Sequence, residues 1–331
     1  MTRIPSTIGG ADRRPSAPLV SVVLPAHNEE EALPLVVSAI AKAAAPSEIE
    51  FVIVDDGSTD GTWSRIQLLR QSQPGVRGLR FTRNFGHQAA ILAGLLAARG
   101  DAVIVMDADG QHPPELIPVF LERWRDGYHV VQAIRTSTPD GRVKGAFSRL
   151  FYRILHALSG VDVPTGSAEF RLLSRPVVDA VTQSAGHLLF LRGLVPYLGY
   201  DTAFVPFTAW PRVAGRTSYT WRKMVRLSLD GLMSFSIVPL RAAIAIGLSV
   251  SVAAFLYLVY IVVIWMTASG VVPGWASTVG LLSLLGGIQL LTLGVVGEYL
   301  GRLFLSSLNR PPFVILEQTG SVQARVPAAV P

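Results

Sequence analysis

Asp107 and Asp109 are separated by a single alanine, and Gln111 follows two residues later, so two carboxylates and an amide oxygen are gathered on one short stretch. Oxygen donors of this kind suit Mg²⁺ or Mn²⁺, whose remaining positions are taken by water and by substrate phosphates. An ion held there would act as a Lewis acid on a leaving diphosphate. Asp107 and Asp109 are therefore candidate catalytic residues and, with Gln111, candidate metal ligands. An Asp-x-Asp pair also occurs on many surface turns. Its weight here comes from the apolar run Ala102 to Met106 directly before it.

Asp55-Asp56-Gly57-Ser58, with Asp60, reads two ways at once. Asp, Ser and Gly make a turn and a helix start unaided, so Ser58 or Asp60 is expected to cap, while Asp56 faces a ligand. A third pattern is cationic. On a helix, Arg142, Arg149 and Arg153 fall within a stripe about 40° wide, and Phe147, Leu150, Phe151, Ile154 and Leu158 share another face. No acidic residue lies between Gly141 and Val161, so these arginines lack partners one turn away, and an external anion suits them better than a solvated face.

These groups need a scaffold. Short β-rich runs alternate with helical segments: Leu19 to Leu24, Phe51 to Val54, Gly78 to Phe81, Ala102 to Met106 and His129 to Ala133. The alternation predicts an α/β fold with a parallel sheet, whose ligands bind beyond the carboxyl ends of the strands. The runs are followed in turn by Pro25-Ala26-His27-Asn28-Glu29-Glu30, Asp55-Asp56-Gly57-Ser58, Arg83-Asn84, Asp107-Ala108-Asp109 and Arg135. Loops are commonly polar, but this many polar strand ends in succession predict one site on one rim.

Half of the 331 residues are hydrophobic and the mean hydropathy is +0.42, which points to a soluble domain joined to membrane spans. Ala242 to Ser269 gives 28 uncharged residues, more than the roughly 20 needed to cross the hydrocarbon core. Val271 to Trp275 is a turn with Pro273 and Gly274, and Ala276 to Gly297 returns toward Phe304. Arg241, Arg302 and Arg310 flank this hairpin and its turn has no Lys or Arg, so both ends are expected in the cytoplasm. Trp221 to Phe235 sets Arg222, Lys223, Arg226 and Asp230 on one arc, as in an interfacial helix or one docked on the protein's own core. The neighbouring span favours the interface. The expected organisation is a disordered segment 1–18 without a signal peptide, a catalytic domain 19–215, an interfacial amphipathic helix region 216–240, a hairpin of two transmembrane helices 241–305 and a cytoplasmic tail 306–331.

The net charge of +6 admits nucleic acid, an anionic membrane or a phosphorylated substrate as partner. No zinc knuckle, RNP-like aromatic motif or basic tail supports nucleic acid. The absence of cysteine excludes disulfides, thiolate metal sites and a cysteine nucleophile.

Pro25 to Glu30, Val54 to Ser58, Arg83-Asn84-Phe85-Gly86-His87-Gln88, Asp107-Ala108-Asp109-Gly110-Gln111-His112-Pro113-Pro114-Glu115, Phe170-Arg171-Leu172 and Phe190-Leu191-Arg192-Gly193 together resemble the polyprenyl-phosphate glycosyltransferases of glycosyltransferase family 2. The likeness is to the two-span bacterial branch with GtrB-type bactoprenol glucosyltransferases, related to dolichol-phosphate mannose synthases. It implies a GT-A fold and an inverting displacement without a covalent enzyme intermediate. It also implies that Pro25, His27, Asn28, Glu29, Val54 and Asp56 surround the nucleotide, with Arg212 a further donor contact. Asp107, Ala108, Asp109 and Gln111 would handle ribose, diphosphate and metal, and Arg135, Arg149 and Arg153 the phosphates at the reaction centre. The chain departs from the pattern at His27, where relatives carry an aromatic residue. Glu169 stands in place of an aspartate and would act as base or organiser, and Ser218 replaces a lysine whose phosphate contact is lost or supplied by Arg216.

The expected activity is metal-dependent transfer of a hexose from a nucleotide sugar, UDP-glucose first and GDP-mannose as the alternative, onto a polyprenyl phosphate, for cell-envelope glycan modification. The expected place is the cytoplasmic face of the inner (plasma) membrane, with a homo-oligomer left open. A phosphate monoester has a second pKa near 6, so such an acceptor is already a nucleophile and needs arginines and a cation more than a strong base. A processive polysaccharide synthase would bring a Gln-x-x-Arg-Trp motif and more spans, and neither is found. A non-catalytic nucleotide-sugar-binding membrane protein would have no need of both aspartates and Gln111.

Overall fold

The computed structural model describes residues 14–15, 18–45, 47–73, 75–136, 166–184, 191–210, 238–267, 274–308 and 310–320. The chain divides into two compact units, one of residues 1–152, 161–218 and 311–331, the other of 153–160 and 219–310.

The first unit is built on one eight-stranded sheet. Its strands are β1 (Leu19–Ala26), β2 (Glu48–Asp55), β3 (Val76–Phe81), β4 (Ala102–Val105), β5 (Val130–Arg135), β6 (Ser167–Ser174), β7 (Thr202–Phe207) and β8 (Ile315–Thr319). They lie in the order β7-β5-β6-β4-β1-β2-β3-β8. Every strand that the apolar runs predict is present. The sheet, however, is mixed and not parallel: β6 runs antiparallel to both β4 and β5, and β8 antiparallel to β3. Neither strand reads as an apolar run. Glu169 and Arg171 interrupt β6 and neutralise each other only once folded, and β8 lies in the segment expected to be a tail.

Strand β1 shows why the sheet holds. Val20, Val22 and Leu24 face one side and Val23 the other, all fully buried, as the period of two requires. On the first side pack α1 (Ala32–Ala43), α2 (Thr62–Ser72) and α4 (Leu116–Arg125). Leu33, Val36, Val37 and Ile40 of α1 recur at helical spacing and are buried there. On the second side lie α3 (His87–Ala97), α5 (Arg175–Ser184) and α6 (Leu191–Tyr197). Helix α3 comes so close that a Cβ on Gly94 would stand 2.2 Å from Val23 Cγ1. That approach fixes where the first turn of α3 emerges.

The second unit contains two long helices, α7 (Val238–Thr267) and α8 (Trp275–Ser307), of 30 and 33 residues. Within α8, Leu284–Leu305 is long and apolar enough to cross a membrane, and Ala243–Tyr257 of α7 is a shorter apolar stretch among the described residues. Large apolar side chains such as Ile244, Phe255, Met266, Leu290 and Leu303 are exposed on both helices. The expected interfacial helix from Trp221 to Phe235 and the turn at Val271–Pro273 lie outside the described residues.

Candidate active site

The carboxyl ends of β1, β2, β4 and β5 share one rim of the sheet, and the reversed β6 brings its amino end there. Ile134 pairs with Ser167 and Val105 with Arg171, so Glu169 enters beside the turn that follows β4. Antiparallel insertion is thus what carries a residue distant in sequence into this rim.

The turns after β1 and β2 are knitted together. Ser58 N donates to Asp55 Oδ1 (2.9 Å), Asn28 N to Ser58 Oγ (3.0 Å) and Thr59 N to Asn28 Oδ1 (2.9 Å). Asn28 has φ 58°, a conformation that asparagine tolerates better than most residues. Asp60, not Ser58, receives the amide of Thr62 at the start of α2. Gly57 has φ +64°, and a Cβ there would lie 2.3 Å from the backbone carbon of Arg83. Only glycine lets the loop after β3 close on this turn. Through that closure Asp56, 4% exposed, accepts amide hydrogens from Phe85 (2.7 Å) and Gly86 (3.0 Å). Burial raises its pKa above the ordinary carboxylate value, and the two amide bonds oppose that rise without cancelling it. His27 is exposed, with Nδ1 2.9 Å from Asp56 O. Pro25, Val54 and Ala108 are buried, and Val54 and Ala108 lie in the hydrophobic core, so their side chains support the site from below.

After β4, Gln111 N donates to Asp109 Oδ1 (3.0 Å), which closes the acidic turn. Arg135, at the end of β5, donates to Gln111 Oε1 (3.3 Å). Asp107 is held by two histidines that sequence reasoning did not assign. Its amide donates to His112 Nδ1 (3.1 Å), so the neutral ring carries its proton on Nε2, 3.7 Å from Asp107 Oδ2. His112 is 2% exposed and stacked on Phe170 (centroids 5.1 Å, 15°), and burial pushes its pKa down against the pull of Asp107 and Asp109. From the open side, His87 Nε2 lies 3.3 Å from Asp107 Oδ1. That oxygen is buried and makes no hydrogen bond within the described residues.

Glu169 sits at the third corner. Arg171 donates to Oε2, while Arg192 Nε (3.1 Å) and Gln88 Nε2 (3.2 Å) donate to Oε1. Burial alone would raise its pKa, but Arg171 and Arg192 outweigh it and bring the value down to about 2. A carboxylate so held is a poor proton acceptor and a good organiser of guanidinium groups. Gln88 also receives the amide of Leu191 on Oε1 (3.2 Å), which ties α6 to α3. Arg149, Arg153 and Arg212 lie outside the described residues.

Residues 21–182 match the family described as Glycosyl transferase family 2. The chain is 36% identical to the uncharacterized glycosyltransferase YkcC of Bacillus subtilis strain 168, over 92% of this chain and 96% of that one. The chain belongs to glycosyltransferase family 2. It is 38% identical to the bactoprenol glucosyl transferase of Shigella phage SfV, over 89% of this chain and 97% of the other. The prophage bactoprenol glucosyl transferase homolog of Escherichia coli K12 is 37% identical over 89% and 98% of the two chains. This glycosyltransferase has a GT-A-like α/β fold with a mixed sheet, and the acidic turn after β4 lies on the rim at the carboxyl ends of its parallel strands.

No group of three His, Cys, Asp or Glu side chains among the described residues is arranged to hold a metal by itself. Two carboxylates, one with a buried oxygen lacking a hydrogen bond among the described residues, and the amide of Gln111 fit instead an ion completed by substrate phosphates.

Proposed function

We propose that this glycosyltransferase transfers a hexose, from UDP-glucose as the first candidate donor, to the phosphate of a polyprenyl lipid at the cytoplasmic face of the membrane, with inversion. The observation that carries the reading is Asp107 Oδ1, faced by His87 at 3.3 Å but without a hydrogen bond among the described residues, on a turn whose Gln111 already bonds Arg135. That arrangement suits a cation and a diphosphate together. Asp107, Asp109 and Gln111 would hold Mg²⁺ or Mn²⁺, which supplies Lewis-acid charge for the departing nucleoside diphosphate.

The chain's own groups account for the rest. Asp56 and the turns carrying His27, Asn28 and Glu29 take the nucleotide, and Arg135 takes phosphate charge. Arg149, Arg153 and Arg212 are assigned to phosphates on the same reading. Glu169 positions Arg171, Arg192 and Gln88 and does not abstract a proton, consistent with an acceptor phosphate that is already anionic near neutrality. The mechanism then needs charge compensation between two anions, and arginine with a divalent cation provides it.

The acceptor is proposed from the bactoprenol names of two relatives and from the apolar helices. Helices of 30 and 33 residues would be about 45 and 50 Å long, beyond the roughly 30 Å of a hydrocarbon core. Exposed Ile244, Phe255, Leu290 and Leu303 suit lipid, and we read α7 and α8 as a two-span hairpin. The test is purified full-length protein with Mn²⁺, undecaprenyl phosphate and a panel of UDP- and GDP-hexoses, scored by the mass of the lipid product. A hexosyl phospholipid formed from one donor supports the reading. No product from any donor would sink it.

A further inference from the structure

The strand β8 belongs to the sheet of the catalytic unit although its sequence follows the last apolar helix. Only Leu308 to Pro312 separate α8 from Phe313. Contacts run from this returning segment to the donor turn along two lines.

The first line is polar. Glu317 pairs with Arg80 across the β3–β8 ladder. Arg80 NH1 donates to Glu317 Oε1 (3.1 Å) and its Nε lies 3.5 Å from Asp55 Oδ2. Trp63, on α2, donates from Nε1 to Glu317 Oε2 (2.9 Å), with Arg80 over its ring at 5.9 Å. Asp55 is fully buried, and its Oδ2 makes no hydrogen bond within the described residues. A buried carboxylate oxygen in that state depends on the nearby guanidinium for its charge to be tolerated. Its other oxygen holds Ser58 N, the bond that shapes the turn. Glu317 therefore sets the guanidinium on which the Asp55 turn rests.

The second line is apolar. Val314 O accepts the amide of Thr82 (3.0 Å), and Phe313 stacks on Phe81 (centroids 5.1 Å, 11°). Phe81 meets Phe85 edge-on at 5.7 Å, and Phe85 N gives Asp56 its 2.7 Å hydrogen bond. The two lines thus end on consecutive residues, Asp55 and Asp56.

We propose that the segment from Phe313 to Thr319 is a positioning element of the donor site, with Glu317 acting through Arg80 on the Asp55–Ser58 turn and Phe313 acting through Phe81 and Phe85 on the Asp56 carboxylate. Donor affinity then depends on chain that lies beyond the apolar helices. The inference rests on the reading of Asp56 as a nucleotide contact.

The experiment compares full-length wild type, Glu317→Gln, Glu317→Asp, Glu317→Ala and Phe313→Ala in detergent. It measures uridine diphosphate binding with Mn²⁺ by calorimetry, the KM for UDP-glucose, the KM for undecaprenyl phosphate, kcat and the melting temperature. Glu317→Gln keeps an acceptor for Trp63 and loses the charge, so donor KM should rise about threefold, and Glu317→Ala and Phe313→Ala about tenfold. Lipid KM should not change, and Glu317→Asp should recover part of the loss. Unchanged donor affinity in both Glu317→Ala and Phe313→Ala would overturn the inference. So would a proportionate rise in both KM values that tracks the melting temperature, which is the mark of a merely structural strand. If the wild type binds no nucleotide, the proposed function falls with it, whereas wild-type binding matched by both Glu317→Ala and Phe313→Ala removes this inference alone.

Discussion

Both ends of the same sheet bury carboxylates, but only the carboxyl ends leave a buried carboxylate oxygen without a hydrogen bond among the described residues. At the amino ends of the strands, Glu50 uses both oxygens: Oε1 accepts from Ser21 and from the amide of Arg99, and Oε2 from Arg77 at 2.8 Å. At the carboxyl ends, Asp56 and Glu169 are bonded through both oxygens as well, but Asp107 Oδ1 and Asp55 Oδ2 are buried without a hydrogen bond among the described residues. Glu50 is thereby tied into the fold. On the proposed reading Asp107, beside an arginine-bound glutamine and two histidines, keeps capacity for a ligand.

The most severe test of this contrast is Asp109→Asn or Asp107→Asn. Each should lower kcat by about a hundredfold to a thousandfold, because charge at the proposed diphosphate site is removed. The melting temperature should stay close to that of the wild type, since asparagine keeps the size of the side chain and an oxygen that can accept the Gln111 amide. Equal activity would remove metal chemistry from the account. Glu50→Ala should behave in the reverse way. Loss of the partner of buried Arg77 should cost about 3 kcal/mol of stability, seen as a lower melting temperature. Donor KM per folded molecule should not move, and if it did, the two ends would not be independent.

A smaller effect should come from His112, which belongs to both categories because it is buried like the fold and bonded to the site. His112→Ala should lower kcat about tenfold by freeing the Asp107 backbone. His112→Asn, whose amide oxygen can accept the same N–H, should restore part of it, and equal kcat in all three proteins would show that Asp107 needs no such support. The smallest effect concerns pH. The folded pKa of Glu169, about 2, lies below its ordinary 4.5, so its pairing stabilises the protein above that ordinary value. This contribution is lost as pH falls through the window from about 4.5 toward 2, which acid unfolding of wild type against Glu169→Gln would reveal. Between pH 6 and pH 8, activity should show no limb from Glu169, as expected of a group that organises arginines and takes no proton.

The legibility of these features in the sequence follows their physics. Buried runs such as Val22 to Leu24 and Ala102 to Val105 declare themselves, because a strand covered on both faces is apolar over most of its length. The acidic turns were equally plain, since each follows such a run. Strand β6 was hidden because Glu169 and Arg171 look solvent-facing until folding pairs them. Strand β8 was hidden because an edge strand held by Glu317 and Thr319 side chains needs little apolar character. His87, Gln88 and His112 escaped assignment for a related reason. His87 and Gln88 reach Asp107 and Glu169 across 20 and 81 positions of sequence, and only the packing of α3 at Gly94 brings them there. His112 is close to Asp107 in sequence, but a histidine before two prolines carries no local sign that its ring will be buried against Phe170.

The central claim is that the rim carrying Asp107 and Asp109, and not the far end carrying Glu50, takes a nucleoside diphosphate with a divalent cation. Titration calorimetry of uridine diphosphate into the full-length protein, with and without Mn²⁺, tests it directly when wild type, Asp109→Asn and Glu50→Gln are compared. The account predicts Mn²⁺-dependent binding in wild type and in Glu50→Gln, and its loss in Asp109→Asn. Binding of equal strength in wild type and Asp109→Asn, or binding abolished by Glu50→Gln in a folded protein, would contradict it.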